Sequence, residues 1–155
     1  MTLVNRMLRA QQVTVLCCVA VIAACEEPTL LHTPGGDPSG AYGYVARSGL
    51  TPVVSGTVTL LVDEDSAVTG IWELRRVPGA DTTIQVGPQL GTGTLAGRLN
   101  ASGMVAVDLN PGWADNNVFL AFSATARDLL TGTWDHSTFI GPVAGGPVEL
   151  QRLTR

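Results

Sequence analysis

The chain has 155 residues, with nine arginines, no lysine, thirteen acids and a formal net charge of −4. The missing lysine excludes Schiff-base and lysine-nucleophile chemistry. The acidic balance lacks the basic clusters by which proteins hold nucleic acid or anionic membrane surfaces. Cys17, Cys18 and Cys25 are the three cysteines, so the chain beyond them has no disulfide even where the compartment permits one.

Residues 1–12 carry Arg6 and Arg9 and no acid, and residues 13–25 read VTVLCCVAVIAAC, apolar except for Thr14. Such a run suits the h-region of a secretory signal and falls short of the roughly 17–25 residues of a membrane-spanning helix. Small residues, Ala23 and Ala24, precede the break, as a signal peptidase requires. Ile22-Ala23-Ala24-Cys25 resembles the lipobox of bacterial lipoproteins: an aliphatic residue, two small residues, then cysteine. The resemblance implies that residues 1–24 are a lipoprotein signal peptide. It also implies that Cys25 becomes the N-terminus and carries a thioether-linked diacylglycerol, with a further acyl chain on its amine. Two or more chains anchor stably where one holds only marginally, so the membrane is an expected partner. Glu26 stands where proteobacterial lipoproteins kept at the inner membrane usually have aspartate, which points to the outer membrane. The other reading of these residues is an ordinary cleavage near Ala24 that leaves a free thiol. Removing residues 1–24 would leave 131 residues (155 − 24), seven arginines and thirteen acids, a net charge near −6.

The segment EEPTLLHTPGGDPSG, residues 26–40, holds three prolines and three glycines without periodicity. With Cys25 it reads as a tether, 25–40. His32 lies in it with no metal partner nearby, and reads as a solvated side chain. All eight aromatic residues follow Gly40, so the core belongs to residues 41–155, a single domain.

Short apolar segments separated by turn residues then recur at regular spacing, the pattern of an all-β sandwich or barrel. Tyr42 and Tyr44 alternate in a first strand, and residues 54–62 make a second. The turn Asp63-Glu64-Asp65-Ser66 leads to a third at 68–77. After a weak stretch at 82–86 come strands at 91–99 and 104–109, then a loop at 110–117. Strands at 118–126, 129–135 and 148–153 close the count at about eight. Phe119, Phe122, Ala126 and Leu130 also fit a helical stripe. Val118, Leu120, Phe122 and Ala124 fit alternation equally, and the β-rich flanks decide for a strand. The expected fold is one antiparallel up-and-down barrel, with a β-sandwich as the alternative.

Two hairpins carry similar wording, Thr69-Gly70-Ile71-Trp72 and Thr131-Gly132-Thr133-Trp134, 62 positions apart. In an eight-stranded meander this spacing puts the tryptophans on the third and seventh strands. It fits an internal duplication, and it fits equally a strand in which glycine admits a close neighbour and tryptophan fills the core. The Gly-Thr-Trp wording is also similar to that of the calycin barrels, lipocalins and avidins among them. Their motif lies on the first strand, whereas this one lies near the end. The similarity therefore implies architecture, and no binding residues carry over.

Residue types for catalysis are sparse. His136 is the one histidine of the domain, and no set of His, Cys and acids has metal-ligand spacing. Asp63-Glu64-Asp65 lacks the spacing of a calcium loop. Asp135-His136-Ser137 names a hydrolase triad, but neighbouring strand residues face opposite sides and no G-x-S-x-G elbow occurs. Gly91-Thr92-Gly93 has no GK[ST] ending. The expectation is a protein without enzymatic activity, cofactor or metal.

Two features admit a binding role. An eight-stranded barrel is either filled or holds one small ligand, and Trp72, Trp134, Phe122 and Tyr44 are the candidate lining residues. Trp113, in the loop NPGWADNN, is either a lid on the barrel mouth or an exposed contact residue. The first expectation is a module binding a small apolar or amphipathic ligand in or at the mouth of the barrel. The alternative is a filled barrel meeting an envelope protein through loops such as 110–117.

Overall fold

Alternation of apolar and polar residues governs the chain from Gly40 onward, and it builds eight consecutive strands. The computed structural model describes residues 36–154, so the proposed signal segment, Cys25 and the tether as far as residue 35 lie outside the described residues. The strands are β1 (Gly40–Ser48), β2 (Thr51–Val62), β3 (Ala67–Arg76), β4 (Gly91–Leu99), β5 (Met104–Asp108), β6 (Asn116–Ala126), β7 (Leu129–Thr138) and β8 (Gly141–Arg152). Each pairs antiparallel with the next, and β8 closes on β1 through Tyr42 opposite Arg152 and Ala46 opposite Val148. The result is a closed up-and-down barrel.

Inward positions carry the core: Tyr42, Tyr44, Val58, Leu60, Val68, Trp72, Leu95, Val105, Val107, Leu120, Phe122, Trp134 and Leu150 form one cluster. The segment read as ambiguous between helix and strand is β6, with Val118, Leu120 and Phe122 inward and Phe119 outward.

The two similar hairpins share one register. Leu60 faces Gly70 and Val54 faces Arg76 in the first; Phe122 faces Gly132 and Asn116 faces Thr138 in the second. Every one of these positions maps onto its counterpart 62 residues later. Gly70 and Gly132 also do the same work, because a β-carbon there would collide with the carbonyl of Thr59 or of Ala121 on the preceding strand. β2–β3 and β6–β7 are therefore equivalent hairpins in the two halves of a pseudo-twofold barrel.

An up-and-down meander sorts its connections between two ends. The near end holds the chain entry before Gly40, the acidic turn 63–66, and turns 100–103 and 127–128. Asp37, Pro38 and Ser39 are already docked there. Pro38 is buried and accepts a hydrogen bond from the Tyr42 hydroxyl at 2.8 Å, and Arg152 bonds Ser39 O and lies over the Tyr42 ring. The far end holds the turns at 49–50 and 139–140 and the longer loops 77–90 and 109–115.

Two elements differ from the sequence reading. Residues 82–86 form no strand and belong to the long β3–β4 loop. The last strand begins at Gly141 rather than at residue 148, because the run GPVAGGP pairs with β7 from Thr138 opposite Gly141 to Gly132 opposite Val148. Its prolines and glycines conceal a strand that pairs with β7 alone, since β8 meets β1 only from Val148. Proline is tolerated where a strand has an unpaired side.

Candidate functional site

The interior is occupied by its own side chains. Tyr42, Tyr44, Phe122 and Trp134 are at most 1% exposed, and Trp72 is 4% exposed. Polar atoms on these rings find partners within the protein. Trp134 Nε1 donates to Arg47 O at 2.8 Å, and Trp72 Nε1 donates to Leu109 O at 2.7 Å. The Tyr44 hydroxyl donates to Gln89 Oε1 at 2.9 Å. Burial holds the Tyr44 phenol well above its ordinary pKa, so it remains a donor at any working pH.

Gln89 belongs to the lid at the far mouth. The loop 77–90 folds inward so that Val86 and Gln89 are buried, and Gln89 Nε2 returns a hydrogen bond to Val86 O at 2.7 Å. Three further ties hold the loop. His136 Nδ1 meets Gln85 O at 2.9 Å, Asn110 Nδ2 donates to Pro88 O, and Arg76 donates to Asp81 O and Ile84 O. His136 Nε2 also meets Asn116 Oδ1 at 2.7 Å. The lid is thus the β3–β4 loop, a role that nothing in its local sequence announces.

The candidate residues separate accordingly. Tyr44, Trp72, Phe122 and Trp134 come together in the core. Trp113 stands apart, 56% exposed on the loop after β5. It is not folded back over the barrel mouth as a lid. Asp135 is exposed while its neighbour His136 is buried, so the two point to opposite faces. Among the described residues no three of His, Cys, Asp and Glu gather to hold a metal ion.

Exposed apolar residues gather at the far end. Leu50 is 94% exposed on the β1–β2 turn, and Phe139 and Ile140 are 83% and 80% exposed on the β7–β8 turn. Residues 137–147 around that turn carry no charge.

Two clefts lie on the outer wall. One, of about 620 Å³, crosses β1, β2 and β3 over Gly43, Ser55 and Thr57, with Glu73 and Arg75 of opposite charge beside it. The other, of about 340 Å³, crosses β4 to β7 over Ala96, Ala106 and Ala121, with Asp108, Phe119 and Asp135 lining it. Strand register puts these last three in one row, Asp108 opposite Phe119 and Phe119 opposite Asp135. Asp108 accepts from Asn110 N at 2.8 Å and from Asn117 Nδ2 at 3.1 Å, and partial burial raises its pKa. Asp135 lies against β8, where glycine at 145 leaves room for its carboxylate. Sequence reading missed this row because its members lie far apart in the chain. The available signal was an outward-facing Phe119 in a strand whose other aromatic, Phe122, faces inward.

The chain matches no protein-family model, and no curated protein matches it.

Proposed function

We propose that this is a lipid-anchored, non-catalytic envelope protein whose barrel acts through its outer surface on a protein partner. In this reading residues 1–24 are removed, Cys25 is acylated, and the tether 25–40 carries the barrel off an outer membrane. The lipobox wording Ile22-Ala23-Ala24-Cys25 supports the anchor. One observation favours an outer-surface role over carriage of a small ligand: the inward aromatic rings are buried in one core cluster, and their donors are already spent on Arg47 O, Leu109 O and Gln89 Oε1. A ligand at the mouth would also have to displace loop 77–90 and strip Gln89 of its partners, and buried polar groups left unpaired are costly. The most exposed bulky residues, Leu50, Phe139 and Ile140, stand at the end opposite the tether, as does Trp113.

Both halves of the reading have direct tests. An alkyne-tagged palmitate fed to cells should label the wild-type chain and not Cys25→Ser; equal labelling of the two, or of neither, contradicts the anchor. For the interior, the Trp113→Phe variant restricts fluorescence to Trp72 and Trp134. Titration with 1-naphthylphenylamine should then show no saturable energy transfer, and saturable transfer would mean that the barrel admits apolar ligands.

A further inference from the structure

We infer that the outer wall of β5, β6 and β7 is a docking site for a cationic segment of the partner protein, with an arginine or lysine side chain seated over Phe119 between Asp108 and Asp135. This rests on the outer-surface reading above and names the chemistry of the partner.

Geometry comes first. Adjacent strands stand about 4.8 Å apart, so the two carboxylates lie on the order of 10 Å from each other with the ring between them. Phe119 is 46% exposed on the outer surface of the sheet. The floor is made of small side chains, Ala96, Ala106 and Ala121, so the row borders a cleft of about 340 Å³ rather than a flat wall. A cation over an aromatic face gains from the ring quadrupole, and flanking carboxylates add to the same potential.

Charge distribution comes second. Between Leu99 and Gln151 the only arginine is Arg127, at the near end in the β6–β7 turn. Among the described residues, neither Asp108 nor Asp135 has an ion-pair partner; the ion pairs present are Arg47 with Glu149 and Arg152 with Asp128. Arg98 on the neighbouring strand β4 shares this outer face, opposite Ala106, but pairs with neither aspartate, so both carboxylates lack an ion pair within the described residues. The far-end loops beside it add Asp115 and the exposed Trp113 and no cation.

The pseudo-twofold barrel supplies an internal comparison. Its other half has the row Gly43, Thr57, Glu73 in the matching place. There a threonine stands for Phe119 and a glycine for Asp108, and Arg75 lies next to the single acid. Two walls on the same scaffold thus differ in the features a cation would use. An outward phenylalanine adds nothing to the core, and on the equivalent strand a hydroxyl serves.

The test uses the full-length protein in nonionic detergent and a tetra-arginine amide, with tetra-citrulline amide as the uncharged isostere and choline as a small quaternary amine. Tetra-arginine should bind saturably and tetra-citrulline should not. Phe119→Thr, which installs the residue of the other wall, should weaken binding about fivefold, and Asp135→Asn about threefold. Glu73→Gln on the opposite wall should leave binding unchanged. Absence of saturable binding, equal weakening by all three substitutions, or choline binding as tightly as the peptide would each overturn the inference. A failed outer-surface reading would show itself separately, as energy transfer to the naphthylamine probe in the Trp113→Phe variant.

Discussion

Trp72 and Trp134 hold equivalent places in the two halves of the barrel. Each indole lies over the glycine opposite it on the following strand, Gly93 or Gly146, and donates to a main-chain carbonyl beyond that strand, Leu109 or Arg47. Each side chain therefore closes the wall where its neighbouring strands part. Replacing either by phenylalanine removes both ring area and the hydrogen bond. Trp72→Phe and Trp134→Phe should each cost about 2–3 kcal/mol, read from urea unfolding by circular dichroism. A large loss at one position with none at the other would contradict their equivalence.

Gly70 and Gly132 give a second matched pair. A β-carbon at either would strike a carbonyl of the preceding strand, whereas at Gly43 it would meet nothing nearer than 3.6 Å. Gly70→Ala and Gly132→Ala should destabilise by about 1–3 kcal/mol each. Gly43→Ala should be neutral or stabilising by about 0.5 kcal/mol, since alanine loses less entropy on folding. Urea midpoints of the three variants check this ordering.

The lid hangs on the pair Tyr44 and Gln89. Tyr44→Phe leaves Gln89 Oε1 buried without its donor, at a cost of about 1–3 kcal/mol. The double variant Tyr44→Phe/Gln89→Met replaces both partners by apolar groups and should recover much of that loss. Hydrogen exchange in loop 77–90 should quicken in the single variant and slow again in the double. Unchanged exchange in Tyr44→Phe would mean that the loop is held by other ties.

Two aspartates should give stability opposite slopes with pH. Burial raises the pKa of Asp108 in the folded protein, and this outweighs the hydrogen bond from Asn110 N. The fold thus favours its protonated form. That contribution is present below the ordinary carboxylate pKa and is lost as pH rises through the raised folded value. Hydrogen bonds from Thr83 lower the pKa of Asp81, so its contribution is present above the ordinary value and is lost as pH falls. Relative to the wild type, Asp108→Asn should gain stability as pH rises from about 4 to about 7, whereas the deficit of Asp81→Asn should be full above about pH 4 and shrink as pH falls from there towards about 2. Urea midpoints at the ends of each interval decide the signs.

The barrel was legible in the sequence because inward and outward positions alternate wherever strands have no proline, as at Val105, Val107 and Leu109 or at Val118, Leu120 and Phe122. The repeated Thr-Gly-x-Trp wording placed the two tryptophans on the third and seventh strands, where they stand. The start of β8 was concealed because GPVAGGP has the composition of a loop and becomes a strand only by pairing with β7. The lid was concealed because Gln89 is polar, and only its bond to Tyr44, 45 positions away, makes its burial tolerable. The row Asp108, Phe119, Asp135 depends on strand register, which alternation alone does not specify.

The filled interior is the claim on which the rest depends, and one measurement bears on it most directly: the intact mass of protein extracted gently from membranes, recorded under native and then denaturing conditions. A barrel packed with its own side chains predicts the same mass in both, equal to residues 25–155 plus acyl chains once detergent is discounted. A discrete extra mass present only in the native spectrum would contradict it, for the barrel would then be carrying a small molecule.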